Sequence, residues 1–226
     1  MFTLSCPISA ATRVPLPGDS GPPRVELGKV NVFGVDELPP MMRDQARQVV
    51  KHNAASPNNV LDFDAVDEDD WEWPRQSDAL YPSHASMNQG RVLIVPRDIT
   101  PTELATYRFL GIGDNTANPG EPVLTVCRYF ERPDKVLVTL TENKLDGNGA
   151  AVMVRELIHD WVGPWPAVFT VQRAPSGRVR SMLDWTTDGT DYTLMVLDDV
   201  RQPRGSAIYD KAWLFRLARS IDGGAG

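Results

Sequence analysis

Val123-Leu124-Thr125-Val126-Cys127-Arg128-Tyr129-Phe130, then Glu131-Arg132-Pro133-Asp134, then Lys135-Val136-Leu137-Val138-Thr139-Leu140-Thr141-Glu142, is the stretch whose reading decides the fold. Two runs rich in β-branched and aromatic residues, separated by a proline-aspartate turn, read as a β-hairpin. Downstream the pattern recurs: 150–158, 167–173, 178–185 and 192–197 are strand candidates. Pro175-Ser176-Gly177 and Asp188-Gly189 supply the turns between the last three. Successive short strands without helical crossovers imply an antiparallel meander, because parallel pairing needs long connections.

Outward from this core, 91–97 reads as a strand. Thr100 caps a short helix that opens at Pro101-Thr102-Glu103-Leu104-Ala105 and ends near Gly111. A first strand is expected over 25–34, followed by a helix over 38–53 that aligns Met42, Ala46, Val49 and Val50. A last helix is expected over 206–221, capped by Ser206 and carrying Trp213, Leu214, Leu217, Ala218 and Ile221 on one stripe, with Gly223-Gly224 as its stop. The fold class is therefore α+β: an antiparallel sheet of about six to eight strands with helices packed on one face. Seven prolines and glycines mark residues 1–24 as a proline-rich arm ahead of a single domain at 25–226. Within that domain the periodicity vanishes over 56–90, a long acidic and aromatic insertion.

The 226 residues are 42% hydrophobic and 23% charged, a globular composition. Apolar runs such as Arg91-Val92-Leu93-Ile94-Val95 are far short of the roughly 18–20 residues a bilayer span requires, so no membrane span is expected. The first residues, Met1-Phe2-Thr3-Leu4-Ser5-Cys6-Pro7, lack the basic and apolar regions of a secretory signal. As written the chain reads as cytoplasmic, and as extracytoplasmic if its true start is missing. The net charge is −7, and 61–73 holds seven acids (Asp62, Asp64, Asp67, Glu68, Asp69, Asp70, Glu72) and no base, so the remainder sums to zero. A neutral body with one acidic segment excludes a phosphate backbone as partner, since nucleic-acid affinity needs clustered Lys and Arg.

Local catalytic signatures are missing. His52, His84 and His159 form no paired-histidine motif, and Cys6 and Cys127 have no local partner, Cys127 reading as a small buried hydrophobe. Gly111-Ile112-Gly113 has only the first spacing of a dinucleotide fingerprint and follows an expected helix where the fingerprint follows a strand. Asp62-x-Asp64 starts like a calcium loop, but the required glycine and distal glutamate are out of register. No catalytic, cofactor-binding or metal-ligating residue is assigned, and no cofactor is expected. The residues left for binding are the acids Asp67, Glu68, Asp69 and Asp70, the adjacent Trp71 and Trp73, and the pair Trp161 and Trp165 around Gly163-Pro164. Acids suit a basic partner, and loop tryptophans suit interface anchoring.

From Arg91 to Ile221 the order of features resembles the C-terminal sensor-like domains of anti-sigma regulators and their lipoprotein-carrier-like relatives. The residues concerned are the hairpin 126–140 with Tyr129, Val162-Gly163-Pro164-Trp165-Pro166-Ala167, Leu183-Asp184-Trp185 before Asp188-Gly189-Thr190-Asp191-Tyr192, and Leu217-Ala218-Arg219-Ser220-Ile221. The resemblance implies a curved antiparallel sheet with helices on one face that binds proteins or lipids without catalysis. It carries over no functional residue, and it leaves the N-terminal third unexplained. The expected function is a non-enzymatic binding or regulatory protein that docks a protein partner through the 61–73 segment. The alternatives are a structural subunit of a phage or secretion assembly, suggested by the proline-rich arm, and an enzyme whose site gathers Asp184, Asp188, Asp191 and His159.

Overall fold

In the computed structural model, residues 30–55, 62–63, 69–87, 92–114, 122–145, 151–187, 189–203 and 207–223 are described. The strands are β1 (Val30–Phe33), β2 (Asp62–Phe63), β3 (Arg108–Asp114), β4 (Thr125–Glu131), β5 (Leu137–Lys144), β6 (Ala151–Val154), β7 (Asp160–Val162), β8 (Trp165–Arg173), β9 (Val179–Thr187) and β10 (Thr190–Val196). The helices are α1 (Pro40–Ala55), α2 (Trp73–Gln76), α3 (His84–Met87) and α4 (Lys211–Asp222).

Two meanders build the main sheet. β3-β4-β5 and β8-β9-β10 each fold by antiparallel hairpins, and the antiparallel pairing of β5 with β10 fuses them in the order β8-β9-β10-β5-β4-β3. β7 extends the far side of β8 antiparallel, and β2 joins that same side parallel. The seven antiparallel strands and the α+β class are as the sequence predicts. Turn chemistry explains the hairpins: Lys135 (φ 68) and Gly177 (φ 85) take the left-handed position after Pro133-Asp134 and Pro175-Ser176. Thr187 pairs with Thr190, so the β9–β10 loop has the two residues that favour an Asp-Gly turn.

Strand alternation puts Phe130, Val138, Leu140, Ala167, Phe169, Val171, Leu183, Trp185, Leu194 and Val196 on one face, where they join the apolar stripe of α4 in the principal core. Asp210, not Ser206, caps that helix: its Oδ1 accepts from Trp213 N at 2.8 Å, and Ser206 lies outside the described residues. α1 packs elsewhere. It forms a separate cluster through Ala46, Met42 and Val50 with Phe33, Val35 and Leu38, over a two-stranded parallel sheet of β1 and β6. The expected 150–158 strand is thus β6, paired to β1 outside the main sheet, and it gives way to a 3-10 turn at Arg155–Leu157.

Two upstream expectations are corrected. The helix expected from Pro101 to Gly111 is a 3-10 turn at Glu103–Thr106 followed by β3, because Tyr107 and Phe109 favour a pleated surface and Thr106 and Gly111 weaken a helix. The strand expected at 91–97 is an extended segment with one parallel bridge, Val92 to Val123. Pro96 lacks the N–H a ladder needs. Its neighbour Arg97 instead ties the segment to the end of α4, donating to the carbonyls of Ile221 and Asp222 at 3.2 and 2.8 Å. Of the 56–90 insertion, the described parts hold only β2, a 3-10 turn at Asp69–Glu72, α2 and α3. The arm at 1–24 lies outside the described residues. No helix among the described residues is long and apolar enough to cross a membrane.

Candidate functional site: the polar face of the sheet and its outer edge

On the face turned away from α4, the same strands carry a different chemistry. Read across β9, β10, β5 and β4, one row is Asp184, Thr193, Thr141, Cys127; the next is Thr186, Asp191, Asn143, Thr125; a third is Met182, Met195, Thr139, Tyr129. Cross-strand partners lie within side-chain reach, so the first two rows hydrogen-bond in pairs. Thr193 Oγ1 donates to Asp184 Oδ1 at 2.5 Å, Thr186 Oγ1 to Asp191 Oδ1 at 2.6 Å, and Thr125 Oγ1 to Asn143 Oδ1 at 2.9 Å. Cys127 Sγ and Thr141 Oγ1 are 3.4 Å apart, so the cysteine is buried on the polar face.

Part of this face is roofed by the segment that follows the acidic run. Trp71 is buried, with the Arg180 and Arg178 guanidinium carbons 5.2 and 5.5 Å from its ring. Glu72 Oε1 accepts from Arg178 Nη2 at 2.6 Å, and Glu72 also pairs with Arg75. Trp73 stands edge-on to Tyr129 at 5.9 Å. Arg75 Nε donates to Glu131 Oε2 at 3.1 Å. The hydrogen bond from Lys135 holds the Glu131 carboxyl below the usual range against the opposing effect of burial, and Arg108 and Arg75 add to it.

The strap can lie this close because β3 offers it glycines. A Cβ on Gly111 (φ 145) would sit 2.6 Å from Leu80 Cβ, and Tyr81 bridges Ile112 beside it. Gly111 and Gly113 are therefore a seat for Leu80, not part of a nucleotide loop. Gly111→Ala is expected to cost about 1–3 kcal/mol, read as a fall in the urea midpoint. It should exceed the effect of Gly177→Ala, whose Cβ meets open space and adds only the strain of φ 85.

The sequence-predicted binding residues divide. Trp71 and Trp73 face inward as the roof. Trp165 is half-buried and hydrogen-bonds Asp222, whose carboxyl is raised by burial against the pull of Arg97. Trp161 is 57% exposed. Its neighbours on β7 are anchored: Val162 is in the core, and Asp160 Oδ2 accepts from Lys211 Nζ at 3.0 Å. Asp69 and Asp70 occupy the 3-10 turn, and their side chains, like Asp67 and Glu68 altogether, lie outside the described residues.

Topology nevertheless links the two groups. β7 pairs with β8 at Trp165 to Ala167, and β2, at the head of the acidic segment, pairs with the same side of β8 at Val171 and Gln172. These sites lie four residues apart along β8, about 13 Å. Of the scattered acids, Asp184 and Asp191 share the polar face; Asp188 lies outside the described residues. His159 lies just before β7, and β8 stands between β7 and the Asp184 of β9. Among the described residues no three His, Cys, Asp or Glu side chains converge on a metal site. Comparison of the chain with protein-family models, with curated proteins and with solved structures returned no match.

Proposed function

We propose that the protein is a non-enzymatic binding module that docks a protein partner along the outer edge of β8. One observation carries the reading: β7, presenting the exposed Trp161, and β2, opening the acidic segment, are laid on that one edge. A tryptophan held by a buried neighbour on one side and an ion pair on the other loses little freedom on binding, which is what makes an anchor. The acids Asp67, Glu68, Asp69 and Asp70 supply the charge that draws a basic partner and set the salt dependence of its arrival. The likeness of 91–221 to sensor-like domains of anti-sigma regulators supports a regulatory binding role of the same kind. Trp71 and Trp73 are spent on the roof of the sheet, so the anchor is assigned to Trp161.

The test is recovery of the partner from an extract of the source organism, with wild type and Trp161→Ala as baits at matched thermal stability. The expected result is a loss of about 30-fold in affinity for the recovered protein, the size of a hot spot near 2 kcal/mol. Replacing Asp67 and Glu68 with Asn and Gln should slow association at low salt and leave dissociation unchanged. Equal capture by wild type and Trp161→Ala overturns the reading.

A further inference from the structure

The β4–β5 turn breaks a local rule. Among the described residues Lys135 is the one non-glycine with a positive φ, at 68°, a conformation that glycine adopts freely and that strains a lysine. The turn's own hydrogen bonds, from Lys135 N to the Arg132 carbonyl and from Arg132 N to the Val136 carbonyl at 2.9 Å each, call for that backbone but not for that side chain. What the side chain does is reach Glu131, where Nζ donates to Oε1 at 3.1 Å.

Three cations meet on this one carboxylate. Arg108 Nε lies 3.2 Å from the same Oε1, and Arg75 Nε donates to Oε2 at 3.1 Å. Because they share an oxygen, Lys135 Nζ and Arg108 Nε stand no further apart than the sum of their distances to it. Arg75 is fully committed, since its terminal nitrogens donate to Glu72 and to the Lys135 carbonyl. The other two are not. Arg108 makes no hydrogen bond among the described residues, and Lys135 gives Glu131 one of its three protons. Their side chains are 63% and 76% exposed, over a carboxylate side chain that is 6% exposed. Nearby acids leave the charge unbalanced: Glu72 and Glu131 face four cations, Arg75, Arg108, Lys135 and Arg178, while Asp134 is held by Arg132. Two positive charges are left over at the surface of a chain whose net charge is −7.

A guanidinium fork and an ammonium this close together are the groups that hold a phosphate-type oxyanion, and a surplus of two charges matches a dianion. One such pair suits a single phosphate group, not a nucleic-acid backbone, whose affinity needs a longer run of cations. We propose that Arg108 and Lys135, seated on Glu131, bind a phosphate dianion, either free or carried on a peptide side chain. The site lies at the β3 edge of the sheet, opposite the β8 edge, and its test is independent of any partner bound there.

Sodium phosphate is titrated against sodium chloride at equal ionic strength and at one pH slightly above neutral, where phosphate is mostly the dianion. The amide signals of the full chain are followed by nitrogen–proton correlation spectroscopy. The expected result is a saturable shift with a millimolar midpoint, confined to the amides of 107–109 and 131–136. Arg108→Gln and Lys135→Gly should each weaken the midpoint about tenfold, the worth of one charge-assisted contact. Lys135→Gly should at the same time hold or raise the thermal midpoint of the ligand-free protein, because glycine relieves the strain, and this separates loss of the ligand from loss of the fold. A short peptide with one phosphoserine that binds about tenfold tighter than inorganic phosphate assigns the peptide-borne source, and equal binding assigns the free ion. The proposal is overturned if chloride moves the same signals equally, if the phosphate shifts do not saturate, or if they survive both substitutions.

Discussion

Replacing Arg132 with methionine is expected to lower stability by about 3–5 kcal/mol, the cost of removing one partner from a buried ionic cluster. Its side chain is fully enclosed. Nε and Nη2 donate to the two oxygens of Asp134 at 2.7 Å each, Nη2 lies 3.5 Å from Asp198 Oδ2, and the guanidinium carbon sits 3.7 Å from the centre of the Tyr209 ring and 5.2 Å from that of Trp213. One side chain thereby clamps the β4–β5 turn to the start of α4. Burial pushes the Asp134 carboxyl up, but the hydrogen bonds and charge of Arg132 outweigh it and leave its pKa lowered. Stability from that carboxylate is therefore present above its unfolded pKa and lost as pH falls through the folded one. Without the arginine, Asp198, itself buried, faces no cation. Urea unfolding at neutral pH gives the size of the effect. Arg132→Lys should recover only part of it, since an ammonium cannot reproduce the fork or the stacking. A loss under about 1 kcal/mol would show that the cluster relaxes around the gap.

The second large effect concerns Arg128 and Glu142, an ion pair set among the apolar residues of the helix-covered face. Arg128 Nη2 donates to Glu142 Oε2 at 2.6 Å, Arg97 N donates to Oε1 at 2.7 Å, and Arg128 Nη1 donates to the Arg97 carbonyl at 3.0 Å. Burial raises the Glu142 pKa, with Arg128 as the main opposing influence. A raised carboxyl binds its proton more tightly in the folded state, so this group's contribution to stability grows as pH falls through the folded pKa and declines above it. Arg128→Met is therefore expected to cost about 3–5 kcal/mol near neutral pH, where it strands a buried carboxylate. The penalty should shrink steadily on acidification as Glu142 takes up its proton. The double variant Arg128→Met with Glu142→Leu should regain most of the loss, because an apolar pair of similar volume no longer needs compensation. A penalty that stays constant with pH would rule out the carboxylate as its source.

Both clusters show what the sequence made legible and what it hid. Hairpins were readable because their information is local: Pro133-Asp134, Pro175-Ser176-Gly177 and Asp188-Gly189 sit between runs that pair with each other. The β1–β6 sheet was not, because its partners are distant in the chain and neither strand alone differs from a candidate for the main sheet. The expected helix at 101–111 rests on a cap signal alone, whereas the glycines of 111 and 113 belong to a strand that seats Leu80. The polar face did leave a signal: Thr139-Thr141, Asp191-Thr193, Asp184-Thr186 and Thr125-Cys127 are period-two series alternating with Leu, Tyr, Trp and Val. Taken strand by strand, such alternation says only that one side is polar. That the four series abut, and that Trp71 and Trp73 close over them, depends on register and on a segment with no periodicity of its own.

The seam between β5 and β10 bears on how the molecule reaches its native state. The hairpins within each meander close through loops of at most ten residues, so their contacts are more local and cheaper in chain entropy than those of the seam. The seam joins residues as distant in sequence as Val138 and Val196. Closure entropy rises with the logarithm of the enclosed length, and folding slows as contacts become less local. The joining of the two meanders is accordingly expected to be the slow step of folding. Arg132 and Arg97, which fasten α4 across the first meander, are expected to form late, so that removing either should speed unfolding more than it slows refolding in stopped-flow measurements.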